Sequence, residues 1–142
     1  MSKRAIKTLT LIFVIVIQSG CVVSAGSYPY EPEIVELAGI IELEHRFGSP
    51  NYGETPDIDE YLIIYVFRLN LPIVVGTRET LSELNETIVA DVDKVQIVFL
   101  NGRPEADLLG KNIIMRGTLS KAIWGRHFYP IIFSVSLIIA GQ

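Results

Sequence analysis

Residues 108–139 read LLGKNIIMRGTLSKAIWGRHFYPIIFSVSLII, and this stretch decides the fold. Apolar residues alternate along both of its halves, and a period of two indicates β-strands. The apolar face of the first half holds Ile113, Met115, Gly117 and Leu119, and that of the second holds Ile131, Phe133, Val135, Leu137 and Ile139, opposite Ser134 and Ser136. The stretch therefore predicts two strands joined by a connection around Trp124.

Three other stretches have the composition of strands. Residues 35–43 alternate, with Val35, Leu37, Gly39, Ile41 and Leu43 on one face. Gly39 in the middle predicts a bulge or a bend. Residues 60–69 are apolar on both faces, which predicts a strand that is central or covered on both sides. Residues 70–72 predict a break, residues 73–75 a short continuation, and residues 94–100 a further strand.

The segments between the strands are polar or rich in turn-forming residues. Residues 77–90 predict either a long hairpin loop or one weak helix, and residues 104–109 predict a short helix that begins at Pro104 and ends at Gly110. The resulting order is strand, strand, strand, short helix, strand, strand. This order predicts an all-β domain with one short helix, a small five-stranded Greek-key barrel of the oligonucleotide/oligosaccharide-binding (OB) kind. The alternative is an antiparallel sandwich.

The N-terminus has the composition of an export signal. Three basic residues precede an apolar run at residues 9–17, the pattern of a secretory signal peptide. The predicted organisation is a signal peptide at 1–25, an extended arm at 26–33 and a single barrel domain at 34–142. We expect a bacterial protein of the periplasm.

Two cleavage sites for this signal peptide compete. Ser19-Gly20-Cys21 resembles a lipobox, so cleavage before Cys21 would leave a lipidated cysteine and a tether to the outer membrane. Val23-Ser24-Ala25 fits ordinary signal peptidase, so cleavage after Ala25 would discard Cys21. Either product lacks a disulfide, because the chain has only one cysteine.

The charge of the mature domain is acidic. The full chain carries 12 basic and 16 acidic residues, a net charge of -4. Lys3, Arg4 and Lys7 lie in the predicted signal peptide, so its removal leaves 9 basic residues against 16 acidic ones, a net charge of -7. Nucleic acid is therefore an unsuitable partner, since phosphate contacts need a basic surface. Such acidity suits a basic protein partner or simply solubility.

Several blocks of the chain resemble the domain of unknown function 4431 family of small exported bacterial proteins. They are Tyr30-Glu31-Pro32, FGSPNY at 47–52, LPI at 71–73, VQIV at 95–98, LGK at 109–111 and GTL at 117–119. The resemblance implies a compact β-barrel-like periplasmic domain and supplies no activity. Members carry two cysteines, one of them at the position of Val74, and a histidine-rich run of the form FHAHTGHHHTP. Here residues 120–130 read SKAIWGRHFYP, with a single histidine.

The sequence offers few groups for chemistry, and we expect no catalytic residue, no cofactor and no bound metal. A zinc or copper site needs three or four converging ligands, and the chain has only two histidines, His45 and His127. No G-x-S-x-G elbow marks a nucleophile. Asp57, Asp59 and Glu60 could serve as acid and base, although their place in a polar, solvated loop is the better explanation.

One surface signal remains, in the connection between the last two strands. It consists of aromatic and basic residues: Trp124, Arg126, His127, Phe128 and Tyr129. Loops there often form the binding rim of OB barrels, and Trp, Tyr and Arg are enriched at protein-binding hot spots. The alternative is that Trp124 and Phe128 close the end of the barrel.

The functional hypothesis is a non-enzymatic envelope domain that docks a protein partner through this edge, as an inhibitor or an immunity protein. A structural or stress-related lipoprotein without a specific site and a module for a small ligand or metal are the alternatives.

Overall fold

The computed structural model describes residues 26–141, which form six strands and two 3-10 turns. The strands are β1 (Ser27–Tyr28), β2 (Ile34–Phe47), β3 (Tyr61–Val75), β4 (Val89–Phe99), β5 (Asn112–Lys121) and β6 (Ile131–Gly141), and the turns are Arg78–Thr80 and Ala106–Leu108. Within this range no helix has the length and apolar character to cross a membrane. Cys21 and the two predicted cleavage sites lie outside the described residues.

Five of the strands close into a barrel. β2 pairs antiparallel with β3 and β5, β3 with β4, and β5 with β6, while β4 and β6 pair in parallel and complete the ring. This is the connectivity of an OB-like Greek-key barrel, so the predicted fold class is confirmed. β1 is an additional strand that runs parallel to the end of β3, with Ser27 opposite Val74.

Gly39 lies where β2 passes from one partner to the other. Residues 34–40 of β2 pair with β5, residues 39–47 pair with β3, and Gly39 has a partner on each side. A Cβ atom on Gly39 would collide with the carbonyl oxygen of Arg68. The pairing of β2 has no register shift at Gly39, so the glycine is required by the close packing of two backbones rather than by the predicted bulge.

The core fills the barrel with large apolar side chains from every long strand. Phe67 and Phe133 stack at its centre, with ring centroids 6.1 Å apart. Tyr30, from the extended segment before β2, is completely buried with them. Its hydroxyl donates to the carbonyl oxygen of Thr87 at 2.7 Å, which satisfies the polar end of the ring. The segment at 26–33 thus contributes one side chain, Tyr30, to the core, and Tyr28 packs partly buried against it.

Two details of the strands differ from the sequence prediction. β3 is continuous for 15 residues through the predicted break at 70–72. What breaks there is its pairing with β4, which shifts register between Arg68 and Ile73. Residues 77–90 hold only the Arg78–Thr80 turn before β4 begins, so the predicted weak helix there was wrong and the segment is a loop. The helix predicted at 104–109 is only the single turn Ala106–Leu108.

The predicted inward faces of β6 and β2 are correct only in part. Two register shifts between β5 and β6 interrupt the alternation after Val135, which leaves Leu137 and Ile139 50% and 41% exposed. Leu43 of β2 is 43% exposed. It lies on the same face as the core residue Ile41, but there β2 and β3 extend beyond the closed part of the barrel as a projecting hairpin.

Candidate functional site

The connection at residues 122–130 folds over the outer face of β3 and β4. The buried side chain of Gln96 holds it there: its amide nitrogen donates to the carbonyl oxygen of Arg126 at 2.9 Å, and its amide oxygen accepts from the N–H of Phe128 at 2.7 Å. Val66 and Ile132, its neighbours across the sheet, are buried beneath the same cover. β3 is therefore covered on both faces around Val66, as predicted, but not at its first residues.

His127 fixes the turn of this connection from within. Its ring Nδ1 accepts from the backbone N–H groups of Ile123 and Trp124 at 3.2 and 3.4 Å. The backbone N–H of His127 donates to the carbonyl oxygen of Trp124 at 2.9 Å. Burial lowers the pKa of His127. The turn therefore depends on the neutral imidazole, because a protonated Nδ1 cannot accept these bonds.

A second loop, residues 48–60 between β2 and β3, lies beside the first. Its organiser is Asp59, whose carboxylate accepts from the N–H groups of Asn51, Gly53 and Thr55 at 2.7, 2.8 and 3.2 Å. Burial acts to raise the pKa of Asp59, but these hydrogen bonds outweigh it and hold that pKa below its usual value. Asp59 is thereby explained as a structural group in this loop.

The two loops enclose a cavity of about 450 Å³, here named the loop pocket. It is lined by Ser49, Tyr52, Glu60, Trp124, Gly125, Arg126 and His127. Trp124 and Tyr52 present aromatic rings that are 69% and 55% exposed. Gly125 allows the loops to meet, since a Cβ atom there would lie 2.8 Å from the Tyr52 hydroxyl.

An ion pair joins the two loops at this pocket. Nη2 of Arg126 lies 2.7 and 2.9 Å from the two carboxylate oxygens of Glu60. The Arg126 side chain is 70% exposed, so solvent screens the pair and its contribution to stability is small. The N–H donors of the planar Arg126 guanidinium group nevertheless remain accessible to a bound molecule.

Tyr129 anchors the far side of the connection. Its hydroxyl lies 2.9 Å from both carboxylate oxygens of Glu44, and Lys94 binds the same carboxylate at 3.1 Å. Burial acts to raise the pKa of Glu44, and the bonds from Tyr129 and Lys94 with the nearby charge of Arg46 bring it below its usual value. Burial and the bond to Glu44 raise the pKa of Tyr129.

The five predicted edge residues thus separate into two groups. Trp124, Arg126 and His127 line the loop pocket, whereas Phe128 and Tyr129 lie outside its lining and are half-buried. Sequence reasoning missed Tyr52, which lies in the segment between the first two predicted strands. The available signal was topological, because OB barrels often bind at the loop after the first barrel strand and at the connection between the last two, which here are residues 48–60 and 122–130.

Groups that could hold a metal do not converge within residues 26–141, where no three His, Cys, Asp or Glu side chains form a cluster. His45 instead stacks on Tyr61 with ring centroids 5.1 Å apart, and its Nδ1 lies 2.6 Å from the Tyr61 hydroxyl.

The fold and the loop pocket define an OB-like barrel in which the loops at 48–60 and 122–130, here named the rim loops, form one recess. No family model matches the chain, and neither a curated protein nor a solved structure matches it. The resemblance to the domain of unknown function 4431 family therefore stays a prediction.

Proposed function

We propose that this protein is a non-enzymatic binding domain that docks a protein partner at the loop pocket. The observation that carries the proposal is Trp124, which is 69% exposed on a connection held by hydrogen bonds to the side chains of Gln96 and His127. Trp, Tyr and Arg are the side chains most enriched at binding hot spots. Trp124, Tyr52 and Arg126 supply all three in one recess.

The way in which the rim loops are held supports docking. Asp59 fixes one loop, Gln96 and His127 fix the other, and the Glu60–Arg126 pair joins them. A preformed recess loses little conformational freedom when a partner binds, which favours affinity. The exposure of Trp124 also favours a rim over the alternative in which this residue closes the barrel.

The proposal includes the envelope location. The signal peptide at 1–25 would direct the domain to the periplasm, either free after cleavage following Ala25 or tethered to the outer membrane through lipidated Cys21. An acidic exported domain of this size suits an inhibitor or immunity protein that blocks an envelope toxin or hydrolase. The family resemblance agrees with this address and adds no activity.

A pull-down from the envelope fraction tests the docking site. The wild-type chain and an Ile34→Ala control, which removes an apolar side chain that is 65% exposed outside the pocket, should recover the same partner. Trp124→Ala and Arg126→Ala should recover less than about a tenth as much, since a hot-spot truncation costs roughly 2 kcal/mol or more. Equal recovery by all four chains would show that the loop pocket is not the docking site, and recovery of no partner by any of them would favour the structural lipoprotein.

A second function, the binding of a small molecule, has one observation in its favour. The loop pocket, at about 450 Å³, falls within the roughly 300–1,000 Å³ of small-molecule sites. Native mass spectrometry of the purified chain distinguishes the two functions. A non-protein molecule or a metal ion that denaturation releases would support the second, and its loss in Trp124→Ala would place it in this pocket.

A further inference from the structure

One edge of β3 is open at the projecting hairpin. β3 pairs with β2 from Tyr61 to Leu69, but with β4 only from Tyr65 onward. Residues 61–64 therefore have no strand on that side within the described part of the chain. An exposed, apolar strand edge is a template for pairing with another chain.

The backbone groups at this edge point outward at alternate residues. Glu60 directs both of its groups toward the loop beside β2: its carbonyl oxygen accepts from Gly48 at 2.7 Å and its N–H donates to Ser49 at 2.9 Å. In an antiparallel ladder consecutive residues direct their groups to opposite sides. Tyr61 and Ile63 thus offer their N–H and C=O groups to the open side.

Two clefts run along the open edge and give an added strand room. The larger, about 570 Å³, is lined by Leu43, Tyr61, Leu62, Ile63, Tyr65, Arg103 and Arg126, and the smaller, about 200 Å³, by Leu62, Ile63, Ile64, Tyr65, Gln96, Ile97 and Arg126. Tyr61 and Ile63 are 59% and 57% exposed. Such side chains would pack against alternate residues of an extended segment.

The charge of the clefts selects the occupant. Their charged lining residues are Arg103 and Arg126, and neither cleft is lined by an acidic side chain. Arg126 is paired with Glu60, while Arg103 has no ion pair among residues 26–141. A second copy of the chain would bring two more arginines to the same edge. A segment with acidic residues is the complementary occupant.

We propose that the open edge of β3 accepts an extended segment of the protein partner as an added antiparallel strand, with apolar and acidic residues alternating along it. Its backbone would bond to Tyr61 and Ile63, its apolar side chains would cover the exposed hairpin face, and its carboxylates would meet Arg103 and Arg126. Strand addition is an established mode of peptide recognition, in which the backbone gives affinity and alternate side chains give specificity. This inference rests on the proposed function, because it describes how the same partner binds.

The test uses two free peptides of about six residues, the usual strand length. Each is mixed with the protein in the form that the cell produces after processing. In one peptide valine alternates with glutamate, and in the other valine alternates with lysine. When the glutamate peptide is added, nuclear magnetic resonance should show saturable shifts of the Tyr61 and Ile63 amide signals. The same amides should exchange their hydrogens with solvent more slowly. The lysine peptide should bind at least about tenfold more weakly.

Two controls make the result specific. Methylation of alternate backbone nitrogens in the glutamate peptide should abolish binding, since it removes the donors that strand addition needs. Arg103→Glu should reverse the preference between the peptides, whereas Arg78→Glu, at an exposed arginine outside both clefts, should leave it unchanged.

Several results would overturn the inference. They are equal binding of both peptides, shifts that map elsewhere than residues 61–64, retention of binding after methylation, and a concentration-dependent dimer that uses the same edge without peptide. If Trp124→Ala loses the partner but no peptide binds the edge, docking at the loop pocket stands and strand addition falls. If the peptides bind as expected but Trp124→Ala recovers the partner fully, the edge stands and the loop pocket falls.

Discussion

Tyr30 and Trp124 are large aromatic residues outside the five barrel strands, yet one is 0% exposed and the other 69% exposed. Tyr30 belongs to an extended segment that packs into the core, with its hydroxyl bonded to Thr87. Trp124 belongs to a connection that is held by hydrogen bonds to the side chains of Gln96 and His127. Trp124 is therefore exposed because a hydrogen-bonded backbone holds it at the surface. An exposed aromatic residue held in this way is suited to recognition.

Removal of the Tyr30 ring should have the largest effect on stability. We expect Tyr30→Ala to lower the free energy of unfolding by about 3–5 kcal/mol, the usual loss for a fully buried aromatic side chain. Urea unfolding measures it. Tyr30→Phe is the matched control, because it removes only the bond to Thr87 and should cost roughly 1–3 kcal/mol. A loss below about 1 kcal/mol for the alanine variant would mean that Tyr30 is not part of the core.

Gln96→Met should have the second largest effect. Methionine has a similar volume but cannot bond to the backbone of Arg126 and Phe128, so two loop groups lose their partner. We expect a loss of about 2 kcal/mol and faster hydrogen exchange at the Phe128 amide. Unchanged exchange would contradict the role of Gln96 in holding the connection.

His127 should make stability depend on pH in a smaller and defined window. Its pKa is lowered by burial, so the folded chain binds this proton less readily than the unfolded chain. The contribution is complete above the unfolded histidine pKa of about 6.5 and is lost as pH falls through the folded value. Between pH 7 and 5 the wild type should lose more stability than His127→Gln, as urea unfolding can measure.

The effect of His127 can be separated from that of the carboxylates, because they titrate in more acidic solution. The pKa values of Glu44 and Asp59 are held below their usual 4.5 and 3.8. Their contribution is therefore present above those values and is lost only in more acidic solution. Parallel stability curves for wild type and His127→Gln above pH 5 would show that the imidazole does not fix the turn.

Trp124→Ala should change stability least, by less than about 0.5 kcal/mol, because the ring is largely exposed. The urea midpoint should coincide with that of the Ile34→Ala control. A loss of about 2 kcal/mol would assign Trp124 to packing and weaken its role at a binding rim.

Periodicity predicted the strands well where each strand stayed in the closed barrel. Val35 and Phe133 are buried as the alternation requires. The prediction failed at Leu43 and Leu137, since neither the projecting hairpin nor the shifts in β6 leave a periodic signal. The continuous β3 was also missed, because Pro72 suggested the end of a strand while the structure interrupts only the pairing.

The sequence predicted the residues of one of the two loops that line the loop pocket, but not those of the other. Trp124, Arg126 and His127 stand out by composition, but their contact with Tyr52 and Glu60 depends on which loops the barrel places side by side. The role of Gln96 could not be predicted, because a polar residue in a strand normally faces solvent. Its burial follows from a connection that returns over the sheet, a path that no local pattern encodes.

Site-specific photocrosslinking in cells tests whether Trp124 contacts a protein partner. A photoreactive phenylalanine analogue replaces Trp124 in one variant and Ile34 in a control, and both are illuminated in intact cells. We expect one discrete adduct between position 124 and an envelope protein, and none from position 34. No adduct at position 124, or the same adduct from both positions, would contradict it.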